Sequence, residues 1–272
     1  MKIQHTRLRG RAGLLAVGAV IAFTIAGCSS GTSTSQSTST ASETPEPSIY
    51  CDEECAAQLE LEAAPESVQC NVGASWRATS PPYGADSSKQ IPELAASWFP
   101  GMTVTVTDGQ GDAAIQSGQV DEMVAQGIDV LIISPRDSDA LAGAVDRAVA
   151  AGVKVIAADR AVNTTVSTYI GSDNVEAGVV SGENIAAVLG DGGKLVELAG
   201  SLGASPTIAR GDGLRTALEG SGVTIVDSQT ADYDQAKGLT VMQDLLQKYP
   251  SGSIDGVYTH NDQMAFGAIQ AI

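Results

Sequence analysis

The sequence is poor in positive charge. Of 272 residues, 15 are Lys or Arg against 32 Asp or Glu, a net charge of −17. Four of the basic residues, Lys2, Arg7, Arg9 and Arg11, precede residue 12, whereas the first acidic residue is Glu43. From Cys28 onward 11 basic residues face 32 acidic ones, a net charge of −21 over 245 residues. A surface so short of Lys and Arg cannot displace counterions from a phosphate backbone, which excludes nucleic acid as a partner. Long apolar runs are also lacking. The longest, Ala12 to Ala26, has 15 residues, short of the roughly 20 that a helix needs to cross a bilayer. Histidine occurs only at His5 and His260, so no second histidine after Cys28 can share a metal with His260, and no metal site is expected.

Cofactor and nucleophile motifs are missing too. No Gly-x-Gly-x-x-Gly follows a strand-like run, and Gly190-Asp191-Gly192-Gly193-Lys194 precedes one, with Leu195 where a phosphate loop needs Ser or Thr. No Gly-x-Ser-x-Gly elbow occurs. Carboxylates are plentiful, but most fall on the polar faces of helical patterns. No catalytic residue and no cofactor is expected, and an enzyme is disfavoured. With 43% hydrophobic residues the chain has ample material for a buried core.

The basic start, the apolar run and Ile25-Ala26-Gly27-Cys28 read as a signal peptide over residues 1–27. Small residues before a cysteine resemble the bacterial lipobox. The resemblance implies cleavage after Gly27, lipidation of the Cys28 thiol and an extracytoplasmic chain tethered to the cell membrane by acyl chains alone. Residues 28–50 follow as a linker. Between 29 and 48, 13 residues are Ser or Thr and no aliphatic side chain exceeds Ala41, so the segment cannot bury enough apolar area to offset its entropy. Residues 51–65 form a cysteine-containing lead-in. With Cys28 lipidated, Cys51, Cys55 and Cys70 remain in an oxidising compartment. One disulfide and one free thiol is the simplest outcome, with a bridge either between Cys51 and Cys55 or from one of them to Cys70.

From Ser67 onward, β-branched runs alternate with amphipathic segments. The expected strands are Val68 to Ala74, Met102 to Thr107, Val130 to Ile133, Val153 to Ala157, Thr168 to Ile170, Lys194 to Leu198, Val223 to Asp227 and Gly256 to Thr259. Val120, Met123, Val124 and Gly127 share one helical face, as do Leu141, Ala144, Val145, Ala148 and Val149, and later Leu239, Met242, Leu245 and Leu246. Gly127, Gly152 and Gly222 stand where helices should end in a left-handed residue. This order predicts an α/β fold of parallel sheets flanked by helices, with ligands at the C-terminal ends of strands. There Asp159 can accept from adjacent hydroxyls, Arg160 can donate a planar fork, and Asn261 can do both. Tyr233 or Trp76 can pack on the C–H face of a sugar ring. Such groups recognise a polyhydroxylated ligand without reacting with it.

Five stretches then carry a resemblance: Ile132-Ile133-Ser134-Pro135-Arg136-Asp137-Ser138-Asp139-Ala140, Ala158-Asp159-Arg160, Gly171-Ser172-Asp173-Asn174-Val175, Asn261-Asp262-Gln263-Met264-Ala265 and Ala231-Asp232-Tyr233-Asp234-Gln235-Ala236-Lys237-Gly238-Leu239. Together they resemble the ribose-binding family of periplasmic solute receptors, over residues 66–272. The resemblance implies a two-lobed periplasmic-binding fold, with residues 66–172 as the N-terminal lobe and 173–272 as an incomplete C-terminal lobe. The lobes would close about a hinge near Gly171 to Asp173, and the partners would be a small sugar and the permease of an ABC importer. It implies that Asp159 and Arg160 grip ring hydroxyls, Tyr233 stacks, Asn261 contacts the sugar from the second lobe, and Ser134 occupies a position that is often Asn. Several dozen further residues are expected after Ile272 on the same basis. Two departures point away from ribose itself towards a sugar or sugar-like molecule. Aligning Arg210-Gly211-Asp212-Gly213 puts Ile208 where a second sugar arginine is expected, and Ser75-Trp76-Arg77-Ala78-Thr79-Ser80-Pro81-Pro82-Tyr83 replaces the loop of paired aromatics, with Trp76 or Tyr83 left to stack. A receptor for a furanosyl signalling molecule and an extracytoplasmic carbohydrate-active enzyme are the rivals. A repressor sharing the fold would need a helix-turn-helix where the signal segment stands.

Overall fold

The computed structural model describes residues 64–80 and 82–272. The signal segment, the linker and most of the lead-in lie outside the described residues, and with them Cys28, Cys51 and Cys55. Cys70, half-buried, opens the first strand.

In the first lobe, β1 (Cys70–Trp76), α1 (Pro82–Trp98), β2 (Met102–Asp108), α2 (Ala113–Ala125), β3 (Val130–Ser134), α3 (Ala142–Ala150), β4 (Lys154–Ala158) and β5 (Thr168–Ile170) follow in turn. The strands pair in parallel in the order β2-β1-β3-β4-β5. The chain then crosses through Gly171, Ser172 and Asp173 into α4 (Asn174–Leu189), β6 (Lys194–Ala199), α5 (Ser205–Leu218), β7 (Thr224–Thr230), α6 (Gln235–Lys248), β8 (Gly256–Thr259) and α7 (Asp262–Ala271). The second sheet is also parallel, in the order β7-β6-β8. Among the described residues, no helix is long and apolar enough to cross a membrane.

Parallel strands need helical crossovers that cover both sheet faces, so central strands are apolar on successive residues. On β6, Leu195 joins Leu214, Leu218 and Tyr258 in one core, whereas its neighbour Val196 and then Leu198 join Met242, Leu245 and Met264 in another. Adjacent side chains point to opposite faces, so α4 and α5 cover one face and α6 and α7 the other. In the first lobe, Leu131 and Ile133 of β3 and Val155 and Ala157 of β4 meet Val120 and Met123 of α2 and Ala144, Val145 and Ala148 of α3. Helix ends follow their local chemistry. Asp112 caps α2 by accepting from the amides of Ala114 and Ile115 at 2.7 and 3.0 Å, and Gly127 and Gly152 leave α2 and α3 at φ of 84° and 90°.

Two boundaries differ from the expectation in a way that bears on the site. β1 runs to Trp76, because its ladders to β2 and β3 continue to the pairs Trp76–Asp108 and Trp76–Ser134. Ser75 and Trp76 therefore belong to the strand instead of following it, and Arg77 is the first residue beyond. β7 likewise runs on to Thr230, paired with Ala199.

Candidate functional site

In each sheet the chain reverses direction across one strand. From β1 it goes to β2 on one side and β3 on the other, and from β6 to β7 and β8. A crevice opens at the strands' C-terminal ends at such a point. Between the lobes lie two adjoining cavities that share Arg77 and Tyr233. The smaller, about 220 Å³, is lined by Arg77, Tyr83, Asp159 and Arg160 from the first lobe and by Arg210, Tyr233, Asn261 and Gln263 from the second. The larger, about 500 Å³, includes Asp108, Gln110, Arg136, Asp232 and Lys237.

The backbone around these cavities is held in unusual conformations. The described non-glycine residues at positive φ are Gln110, Asp159, Asp232 and Tyr233, at 52°, 65°, 56° and 61°, and every one of them lines a cavity. Such conformations cost free energy and persist where the surroundings fix them, commonly at binding sites. Asp159, directly after β4, is fixed by its amide donating to the Ile170 carbonyl at 2.8 Å. Asp232 and Tyr233 form the centre of a tight turn closed by the Asp234 amide donating to the Ala231 carbonyl at 2.9 Å.

Tyr233 is mostly buried, and its hydroxyl accepts from the Thr207 hydroxyl at 2.9 Å. Its ring lies directly over Gly200, where a Cβ would overlap Cζ. Burial raises its pKa, so the ring is a neutral phenol. Against it lie two guanidiniums, that of Arg160 at 5.1 Å and that of Arg77 at 6.0 Å from the ring centroid. Arg160 is 97% buried as a side chain and 3.8 Å from the Asp159 carboxylate. Burial and the neighbouring charge of Arg77 push its pKa down to about 10. Asn261 caps α7 by accepting from the Met264 amide at 3.1 Å, and its amide donates to the Gln263 side chain at 2.6 Å.

Asp159, Arg160, Tyr233 and Asn261 are thus brought together around one cavity. Ser134 and Trp76 are not. Ser134 ends β3 almost fully buried, its carbonyl accepting from the Arg77 amide and the Gln116 side chain, both at 3.0 Å. Trp76 is buried edge-on beneath Tyr83, with centroids 6.2 Å apart and rings at 89°. Of the two aromatics in that loop it is Tyr83 that reaches the cavity.

The fork expected to be lost at Ile208 is present two residues on. Ile208 is exposed, whereas Arg210 lines the cavity, donating to Asn174 at 2.9 Å and to the His260 carbonyl. Its signal was its own place in α5, one turn beyond the helix start at the strand ends. Arg77 is a further cavity residue that the expected strand end at Ala74 leaves out, because β1 extends to Trp76. Beneath the site His260 is buried, with Nε2 2.9 Å from the Glu197 carboxylate. Among the described residues, no group of three or more His, Cys, Asp or Glu is arranged to hold a metal.

Residues 75–272 match the family model described as periplasmic binding protein domain. The chain belongs to that family. It is 40% identical over 202 residues to the ribose import binding protein of Bacillus subtilis, covering 74% of this chain and 65% of that one. With the ribose import binding protein of Escherichia coli it is 39% identical over 173 residues, or 63% and 58% of the two chains. This periplasmic binding protein domain thus spans less than two thirds of the length of those curated relatives. Among solved structures, a Caulobacter myo-inositol binding protein bound to myo-inositol superposes with a TM-score of 0.70 at 31% identity, covering 76% of this chain and 71% of that one. A galactofuranose binding protein gives 0.69 at 30%, covering 75% and 70%.

Proposed function

We propose that this chain is an extracytoplasmic solute-binding protein that holds a sugar or sugar-like ligand between its two lobes and delivers it to an ABC importer without chemical change. The observation that carries this reading is the smaller cavity, where a carboxylate, two carboxamides, three guanidiniums and two tyrosines from both lobes surround one space. Relatives named for ribose import, and structures named for myo-inositol and galactofuranose, support the same ligand class. Residues 66–172 and 173–272 would act as the lobes, with closure about Gly171 to Asp173. A ligand that bridges both lobes favours the closed state by its differential contacts there, and closure removes water from the polar groups. Residues 1–27 would direct export, and Cys28 would carry the lipid that tethers residues 28–50 and the binding domain to the membrane.

Calorimetry against neutral pentoses, hexoses and inositols tests the ligand class. Asp159→Ala should weaken binding of the preferred sugar by about 10-fold or more, the loss of a charged acceptor for two hydroxyls; unchanged affinity for every ligand would refute the assignment. Cys28→Ala should release the protein from membranes into the medium. A second reading is a sensor: the fructose binding periplasmic domain of a hybrid two-component system superposes at 0.70 with 28% identity. Copurification with a permease rather than a kinase separates the two.

A further inference from the structure

The charged side chains around the two cavities divide into those with partners and those without. Arg136 pairs with Asp232 at 3.5 Å and donates to the Gly111 and Leu202 carbonyls at 2.9 and 3.3 Å. Lys237 pairs with Asp232 at 2.6 Å, Asp108 accepts from Thr79 and Gln110, and Arg210 is held by Asn174 and His260. Arg77 and Arg160 differ. Among the described residues the Arg77 guanidinium makes no hydrogen bond or ion pair, and the side chain is half-buried, lining both cavities. Arg160 has an unpartnered, buried Nε, long contacts of 3.5 and 3.4 Å to the Pro135 and Arg136 carbonyls, and a half-exposed Asp159 at 3.8 Å.

Stacking on Tyr233 explains the orientation of both groups but not their charge. A ring face attracts a cation weakly and accepts none of the in-plane N–H hydrogens, of which each guanidinium carries five. Their free N–H groups need acceptors from the ligand, and where two guanidiniums face one cavity an anion offsets their charge as hydroxyl oxygens do not. Three arginines and a single carboxylate line the smaller cavity, a local excess of positive charge in a chain whose net charge is −17.

We propose that the ligand is a sugar acid, a monosaccharide whose carboxylate is held by Arg77 and Arg160 while Asp159, Asn261 and Gln263 meet its hydroxyls. This rests on the sugar-binding function proposed above and narrows it. A planar carboxylate matches the guanidinium fork in two parallel hydrogen bonds. A cavity of about 220 Å³ suits one ring with a planar substituent. The anion would also relieve the mutual repulsion that, after burial, holds the Arg160 pKa down.

The test is isothermal calorimetry on the full chain, comparing glucuronate and galacturonate with glucose and galactose, and including ribose 5-phosphate. At least one acid should bind about tenfold or more tightly than its neutral parent. Arg77→Gln should bring that ratio close to one, Arg77→Lys should leave an intermediate ratio, and Arg147→Gln, a remote exposed arginine paired with Asp121 at 2.9 Å, should leave the ratio intact. Neutral sugars binding as well as their acids, or an Arg77→Gln ratio equal to the parent's, would overturn the inference while the sugar-binding function stands. Tighter binding of the phosphate ester than of either acid overturns it as well. If neither panel binds a chain that circular dichroism shows to be folded, the sugar-binding function falls and takes this inference with it.

Discussion

Glu197→Gln should remove a pH-dependent part of the stability of the second lobe. Glu197 sits in the middle of β6 at 1% exposure, an improbable place for a carboxylate unless it is paired. Burial opposes its ionisation, but hydrogen bonds from His260 and Ser228 and the charge of Arg215 outweigh burial and lower its pKa from 4.5 to about 2. Arg215 reaches the second carboxylate oxygen at 2.6 Å and His260 the first at 2.9 Å. Because the folded carboxyl binds its proton less tightly than the unfolded one, the stability it contributes is fully present above pH 4.5. It is lost as pH falls towards 2. At about 1.4 kcal/mol per pKa unit the contribution at neutral pH is about 3 kcal/mol, and less than half of it remains at pH 3.

Glutamine keeps the volume and an acceptor for His260 but turns an NH2 donor towards Arg215, so a pH-independent loss adds to the titrating one and only the change of the gap with pH reports the charge. Urea unfolding followed by circular dichroism at pH 7, 5, 4 and 3 should show a gap between parent and variant that is constant from pH 7 to 5 and narrows by about 2 kcal/mol by pH 3. A gap of the same size at every pH would refute the reasoning, since a lost packing or hydrogen-bond contact does not titrate. The site should feel the change as well. The backbone of His260 accepts from Arg210, and Asn261 follows it directly, so the variant should also bind ligand more weakly at neutral pH.

Arg136→Ala removes an ion pair and two carbonyl contacts that tie the loop after β3 to the second lobe or to Gly111. The closed arrangement should lose about 1 kcal/mol, read as roughly fivefold weaker ligand binding and a larger radius of gyration without ligand in solution scattering; an unchanged radius and affinity would show that this contact does not favour closure. Gly200→Ala should push the Tyr233 ring off its seat and break the Thr207 contact, at a cost of about 1–3 kcal/mol; calorimetry should show ligand binding weakened more than Asp112→Ala weakens it. Asp112→Ala, which uncaps α2 beside Gln110 and Gly111 of the larger cavity, should cost about 1 kcal/mol in urea unfolding and weaken ligand binding less than Gly200→Ala does.

What was legible in the sequence follows from what each pattern depends on. Alternation of apolar runs with helical stripes depends on burial alone, so the eight strands among the described residues and their parallel pairing could be anticipated from Val130 to Ile133, Lys194 to Leu198 and their counterparts. The residues after strands followed from that order, and Asp159, Arg160, Tyr233 and Asn261 do meet around one cavity. Strand ends are less legible, because a ladder stops where its neighbours stop. Trp76 is held in β1 by Asp108 and Ser134, 32 and 58 residues away, and only with that pairing does Arg77 become a cleft residue and Trp76 a buried one. The positive φ of Tyr233 is illegible for a related reason: a tyrosine gives no local hint of a left-handed conformation, which here is imposed by the turn from Ala231 to Asp234 and by Gly200 under the ring. The groups that sequence could not find are those whose role is set by what they lack. An arginine without a hydrogen-bonded partner looks in the sequence like any other arginine, and Arg77, which lines both cavities with no hydrogen bond or ion pair among the described residues, shows its place only once the ladders of β1 are known.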